Sequence, residues 1–161
     1  MMKLDYQKTI LSLKESGMIH ENDKYALCLF RTESESNGVT TTMITSKVDY
    51  LMIANHDEIK LLEIDKKTGE YLDHCFIFKK ENMVYQKKIK ERNFIWASKG
   101  LFGGINIAIH FIAESFVHDY LIPKKMNGYE QTSERLELFT LIKDAYNTYY
   151  ETLEKTYKNK I

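Results

Sequence analysis

Gly100-Leu101-Phe102-Gly103-Gly104 separates the apolar run Phe94-Ile95-Trp96-Ala97 from the alternating run Ile105-Asn106-Ile107-Ala108-Ile109. Glycine reaches φ > 0 without steric cost, so a glycine-rich break between two strand-like runs reads as a hairpin. The same punctuation recurs through most of the chain. Segments rich in β-branched and aromatic residues fall at 25–32, 39–45, 49–55, 58–65, 71–79, 83–90, 94–99 and 105–111. Their separators, such as Ser34-Glu35-Ser36-Asn37-Gly38, Asn55-His56-Asp57 and Asp65-Lys66-Lys67-Thr68-Gly69, supply residues that tolerate φ > 0 or bond their own backbone. This spacing predicts an antiparallel meander that closes on itself.

Residues 105–121 support two readings. Ile105, Ile109, Ile112, Ala113, Phe116, Val117 and Tyr120 fit one helix face, yet Ile105 to Ile109 alternates as a strand does. Two strands, 105–111 and 116–122, are the expectation. Pro123 then ends the β region, because it cannot donate to a ladder.

Helical spacing brackets this unit. Tyr6, Ile10 and Leu13 predict a short helix within 4–17, with Gly17 past its end. Asn127 followed by Glu130 reads as a second helix start, and the pattern is helical from about Thr132 to Lys158. Leu138, Leu141, Ile142, Ala145, Tyr149 and Leu153 form its apolar stripe, with Phe139, Tyr146, Tyr150 and Tyr157 on the flank. One domain over 1–161 is expected: an N-terminal helix, a β unit over 25–122 and a C-terminal helix over 130–158.

Lys and Arg together number 23 and so do Asp and Glu. With no net field, recognition of nucleic acid, an anionic membrane or an acidic substrate would need a local patch. Cys28 and Cys75 sit in apolar runs and read as reduced core residues. The N-terminal residues lack the apolar h-region of a signal peptide, and no apolar run approaches the ~20 residues of a membrane span. A cytoplasmic location is the expectation.

Three stretches carry a resemblance. Leu51-Met52-Ile53-Ala54-Asn55 followed by Ile59-Lys60-Leu61-Leu62-Glu63-Ile64-Asp65, the turn Lys99-Gly100-Leu101-Phe102-Gly103-Gly104-Ile105-Asn106-Ile107, and Val117-His118-Asp119-Tyr120-Leu121-Ile122-Pro123-Lys124-Lys125 leading to Leu138-Phe139-Thr140-Leu141-Ile142 are similar to segments of the bacterial pleckstrin-homology-like domains. The resemblance covers roughly residues 25–145. It implies an α+β fold in which an antiparallel, partly open β-barrel or sandwich is capped by a long C-terminal helix. It also implies a non-catalytic module. Relatives that bind phosphoinositides gather Lys and Arg in the first hairpin loop, whereas Arg31 to Gly38 carries two carboxylates and one arginine, which disfavours that ligand.

Candidate chemistry is sparse. Lys79, Lys80, Lys87, Lys88, Lys90 and Arg92, interleaved with Tyr85, could contact an anionic lipid or nucleic-acid surface, although lysines also guard strand edges. His110, Glu114 and His118 are spaced by four and would share one face of a helix, where they could ligate a divalent metal for a small enzyme. On strands they would not. His74 and Cys75 are adjacent, so a strand would direct them to opposite faces and deny them a nucleophile–base contact. Tyr150 and Tyr157, left over from the helix stripe, are the candidate surface for a protein partner or a second copy. No cofactor motif is visible. The sequence thus reads as an intracellular protein-binding or scaffolding module, with the metal enzyme and the anionic-surface binder as alternatives.

Overall fold

The computed structural model describes residues 5–36, 39–44, 48–82, 95–99, 105–113, 116–147 and 155. Its elements are α1 (Tyr6–Glu15), β1 (Lys24–Ser36), β2 (Val39–Ile44), β3 (Asp49–Ala54), β4 (Glu58–Ile64), β5 (Tyr71–Lys79), a 3-10 turn (Lys80–Asn82), β6 (Ile95–Lys99), β7 (Ile105–Ala113), β8 (Phe116–Ile122), β9 (Lys125–Met126), β10 (Tyr129–Glu130) and α2 (Thr132–Ile142), which continues into a π-helical turn, Lys143–Asn147. The molecule is α+β, and among the described residues all strand pairings are antiparallel. Segment 83–90, read as a strand, lies outside the described residues, as does the turn at 100–104.

An eight-stranded sheet runs in the order β5-β4-β3-β1-β8-β7-β6, with β2 also paired to β1. β1 is the joint. Lys24 to Cys28 pair with β3, Leu29 and Phe30 pair with β8, and Arg31 to Ser36 pair with β2. The strand reading of 105–121 is the observed one: Ile107 to Ala113 run against Ile122 to Phe116.

Directly paired residues share a sheet face, and the register sorts the core accordingly. One face carries Ala26, Cys28, Met52, Ala54, Ile59, Leu61 and Phe78 beneath Leu138, Ile142 and Tyr146 of the C-terminal helical segment. The other carries Leu27, Leu51, Ile53, Leu62 and Ile64 beneath Tyr6, Ile10 and Leu13 of α1. Burial from both sides explains why Leu51-Met52-Ile53-Ala54 is continuously apolar rather than alternating.

α1 begins at Asp5, whose carboxylate accepts from Lys8 N at 3.0 Å, and ends before Gly17 at φ 85°, where glycine carries no Cβ penalty. Tyr6 fixes it to the sheet. Its hydroxyl donates to the buried Asp49 carboxylate at 2.8 Å and accepts from Asn127 Nδ2 at 2.8 Å.

The helix start read at Asn127 is corrected. Met126 pairs with Tyr129 across Asn127 (φ 47°) and Gly128 (φ 87°), the two consecutive positive φ values of a type I′ hairpin. The helix begins after Gln131, which offers no side-chain cap because its amide is committed elsewhere. Gln131 Oε1 accepts from Leu27 N at 2.7 Å, while Nε2 donates to Leu27 O at 2.8 Å and to Pro123 O at 2.7 Å. Leu29 pairs with Leu121, so the same register carried on would set Leu27 against Pro123, which has no N–H. The glutamine supplies the missing donor.

The C-terminal stripe is corrected as well. Tyr146, placed on the flank by α-helical spacing, is fully buried and donates from its hydroxyl to Asn55 O at 2.7 Å. A π-helical turn advances fewer degrees per residue than an α-helix, which returns position 146 to the face of Leu138 and Ile142. Of the expected helix beyond it, Lys155 is helical and residues 148–154 and 156–161 lie outside the described residues.

Replacing Gln131 with Ala strands both backbone groups of Leu27 and the Pro123 carbonyl in a buried site. Urea unfolding should then show a loss of about 2–4 kcal/mol. A loss no larger than that of a surface Gln→Ala control would remove this role. Burial holds the Tyr129 hydroxyl up to about 12 and also raises Tyr6, Tyr71, Tyr120 and Tyr146 above the ordinary phenol value. A raised folded-state pKa contributes stability that is complete below about pH 10 and is lost as pH climbs toward about 12. Tyrosinate absorbance should therefore rise in one steep step together with loss of the folded circular-dichroism signal, and independent titration of these tyrosines near pH 10 would contradict it.

Candidate functional site

The β4-β5 connection fixes one margin of the sheet. Asp65 Oδ1 accepts from Lys67 N at 2.8 Å and from Thr68 N at 2.9 Å, and Gly69 N donates to Asp65 O at 2.8 Å with φ 76°. These bonds favour the ionised carboxylate and hold Asp65 below the usual carboxylate range. The chain then enters β5, which pairs with β4 and stands at the end of the sheet order among the described residues.

β5 is long for an edge and poorly covered. Glu58 to Leu62 pair in register with Lys79 to Cys75, but the ladder slips between Leu62 and Ile64. At the slip Asp73 takes φ 55°, a conformation an L-residue adopts at a bulge. Leu72 (41%), Phe76 (38%) and Ile77 (52%) are exposed, while Phe78 is buried in the core. Among the described residues the strand neighbour of β5 is β4, and Leu72, Phe76 and Ile77 present apolar side chains on both faces of the strand.

Its polar groups are held in place. His74 Nδ1 lies 2.9 Å from Glu63 Oε2, and its ring packs on Phe76 with centroids 4.6 Å apart. Cys75 is half-buried rather than in the core, and burial pushes its thiol up, away from the reactive thiolate. His74 engages Glu63 instead of the thiol.

An open cleft of about 560 Å³ lies beside this margin, between α1 and the start of β5, lined by residues including Asp5, Lys8, Thr9, Ser12, Tyr71 and Asp73. Asp5 caps α1 and Thr9 Oγ1 donates to Gly69 O. Those two groups serve the fold.

The residues named from sequence are dispersed. His110 in β7 pairs with Asp119, and His118 in β8 pairs with Phe111, so the two histidines are not partners in the register. The helix that would have stacked them is not the observed structure, and Glu114 lies outside the described residues. Among the described residues, no three His, Cys, Asp or Glu side chains gather as a metal site. Lys79 is exposed on β5, whereas Lys80 packs with its ammonium 5.2 Å from the Tyr146 ring centroid and donates to Ala145 O at 3.5 Å. Lys87, Lys88, Lys90, Arg92, Tyr150 and Tyr157 lie outside the described residues. Among the described residues, no helix is long and apolar enough to cross a membrane.

Sequence reading missed the β5 edge. Phe76-Ile77-Phe78 breaks the alternation of a half-covered strand, which was the available signal, but the sheet order is needed to place this strand last among the described ones.

No family model and no curated protein matches the chain. Among solved structures it is similar to the hSac2 domain from human phosphoinositide phosphatase Sac2, at 14% identity over 88% of this chain and 84% of that chain, with a TM-score of 0.34. That likeness is too low to carry an argument.

Alkylation distinguishes the two thiols. Cys28 is fully buried and its thiol is raised by burial, so it should label only as fast as the protein unfolds. Cys75 should label in the native state, several-fold slower than a free thiol at neutral pH. Native labelling of Cys75 faster than the free thiol would mark it as an activated nucleophile.

Proposed function

We propose that the chain is a non-catalytic protein-docking module of pleckstrin-homology-like architecture, and that β5 is its docking edge. The architectural part is supported by the order of the elements. β2 and β3 both lie against β1 and act as two parts of one interrupted arm, giving a four-membered run through β4 and β5. β1 joins this run to the β8-β7-β6 meander, and a C-terminal helix covers one face. The resemblance implies a short helix, an antiparallel unit and a C-terminal helix, and the order of the elements supports that reading.

The docking part is carried by one observation: β5, which ends the sheet order among the described residues, has Leu72, Phe76 and Ile77 facing solvent. Extended peptides add to such edges, with main-chain hydrogen bonds supplying affinity and alternate side chains supplying selectivity. Leu72 and the Phe76–His74 pair provide the side-chain contacts. The non-catalytic part is supported by the commitment of the polar groups beside the edge, with His74 bound to Glu63 and Asp5 spent on capping.

The test is a titration of the isotope-labelled full chain with a panel of short extended apolar peptides, followed by amide chemical shifts. Shifts should concentrate in residues 71–79 and vanish in a Phe76→Lys, Ile77→Lys variant that keeps the wild-type fold. Shifts elsewhere, or none at millimolar peptide, would reject this edge as the docking site.

A further inference from the structure

The turn that ties α1 to the sheet is built from a chemically labile pair. We infer that Asn127-Gly128 is a deamidation site, and that its conversion loosens α1 on the sheet through Tyr6. This goes beyond the docking reading and does not rest on it.

Asparagine is a thermolabile residue, and most so before glycine, whose amide nitrogen has no Cβ beside it to hinder its approach to the asparagine side chain. Gly128 N attacks Asn127 Cγ and closes a succinimide ring, while the Cγ–Nδ2 bond breaks and ammonia leaves with the Gly128 proton. Water then opens the ring at either carbonyl to give aspartate or isoaspartate. One water enters and one ammonia departs, so the balance needs no oxidant or co-reactant. Both residues are exposed, and apart from the chain neighbours nothing lies within 4 Å of where a Cβ on Gly128 would stand. The restraint is on the other partner. Asn127 Nδ2 donates to Tyr6 Oη at 2.8 Å, which pins the side chain, so the attack proceeds through openings of the hairpin.

Either product strikes the same contact. Tyr6 has one hydroxyl proton, which it gives to the buried Asp49, and it takes a second bond from Asn127. A carboxylate at 127 has no proton to give in return. It sets a second negative charge against the phenol oxygen, and two carboxylates then compete for one proton. Isoaspartate also adds a methylene to the main chain inside a two-residue turn, which the Met126–Tyr129 pairing does not absorb. Met126 is buried with Tyr6, Ile10 and Leu13, and the Tyr129 ring stands edge-on to Tyr6 with centroids 6.1 Å apart, so a displaced hairpin withdraws packing from α1 as well. The bonds from Thr9 Oγ1 to Gly69 O and from Asp5 N to Thr68 O are made to the β4-β5 connection and stay in place. α1 is loosened at Tyr6 and kept at its start.

The full chain is held folded in mildly alkaline buffer and sampled by peptide mapping, which reads Asn127 separately from the second Asn-Gly pair, Asn37-Gly38. Wild type should convert at 127 several-fold more slowly than the same chain unfolded in urea, and Tyr6→Phe should convert faster than wild type. An amide at 127 that outlasts many half-lives of the unfolded chain would overturn the site, and a rate indifferent to Tyr6→Phe would overturn the restraint. The consequence is read on Asn127→Asp, because Asp-Gly suits a type I′ turn as Asn-Gly does and only the donor is lost. Amides of residues 10–15 should exchange hydrogen several-fold faster in this variant, while those of β3 and β4 keep their wild-type rates. Unchanged exchange in α1 would overturn the coupling. The drop in melting temperature caused by Asn127→Asp should shrink when Tyr6 is already Phe, and an equal drop in both backgrounds would overturn the route through Tyr6. Should Tyr6→Phe fail to fold, exchange in Asn127→Asp alone decides the coupling.

Discussion

The sheet depends on a side-chain amide standing in for a peptide group. β1 has to serve β3, β8 and β2 in turn, and the hand-over from one neighbour to the next leaves Leu27 with its N–H and C=O directed where β8 has run out. Register would deliver Pro123 to that place, and proline can accept but not donate. Gln131 accepts from Leu27 N, donates to Leu27 O and donates to Pro123 O, closing three backbone valences at 1% exposure. Left open in such a site, each would cost a desolvation penalty comparable to the whole net worth of a hydrogen bond.

That one residue also sets where the helix goes. Gln131 N donates to Lys124 O at 3.0 Å and Arg135 N donates to Gln131 O at 2.8 Å, so α2 starts against the end of β8. The Asn127-Gly128 hairpin makes the reversal possible in two residues, and Asn127 simultaneously donates to Tyr6, which ties α1 to Asp49. The opposite faces of the sheet thus receive their covering helices through one connected set of polar contacts. Cores of Leu, Ile and Met specify volume but tolerate shifts, whereas these hydrogen bonds fix direction and register.

Much of this was legible before coordinates. Residues 39–44, 49–54, 58–64, 71–79, 105–113 and 116–122 are strands close to where the sequence pattern placed them, because turn residues mark many of their ends by local backbone preference. α1 was readable from Tyr6, Ile10, Leu13 and Gly17 for the same local reason. What was not legible is long-range. Gln131 looks like any polar residue ahead of a helix, and its value comes from a strand 104 residues away in sequence. Asn127 with Glu130 imitates a helix start because the residues that cap helices also make turns. Tyr146 was misplaced because a π-turn changes the angular step without leaving a compositional trace. The place of β5 at the end of the described sheet order is set by long-range pairing, so the strand read at 71–79 did not announce the exposure of Phe76 and Ile77.

An edge strand is a liability that proteins commonly blunt with charge, proline or a bulge, and β5 uses only half of that repertoire. Asp73 and the slipped register blunt its start, and Lys79 blunts its end, yet the stretch between them exposes Phe76 and Ile77. Guarding both ends while leaving the middle apolar is a poor defence against all association. The bulge takes Asp73 out of the regular ladder at one end and Lys79 stands at the other, so among the described residues the exposed apolar stretch of β5 is confined to the few positions between them. Backbone geometry at the start of the strand and charge at its end thus limit how much apolar surface it exposes.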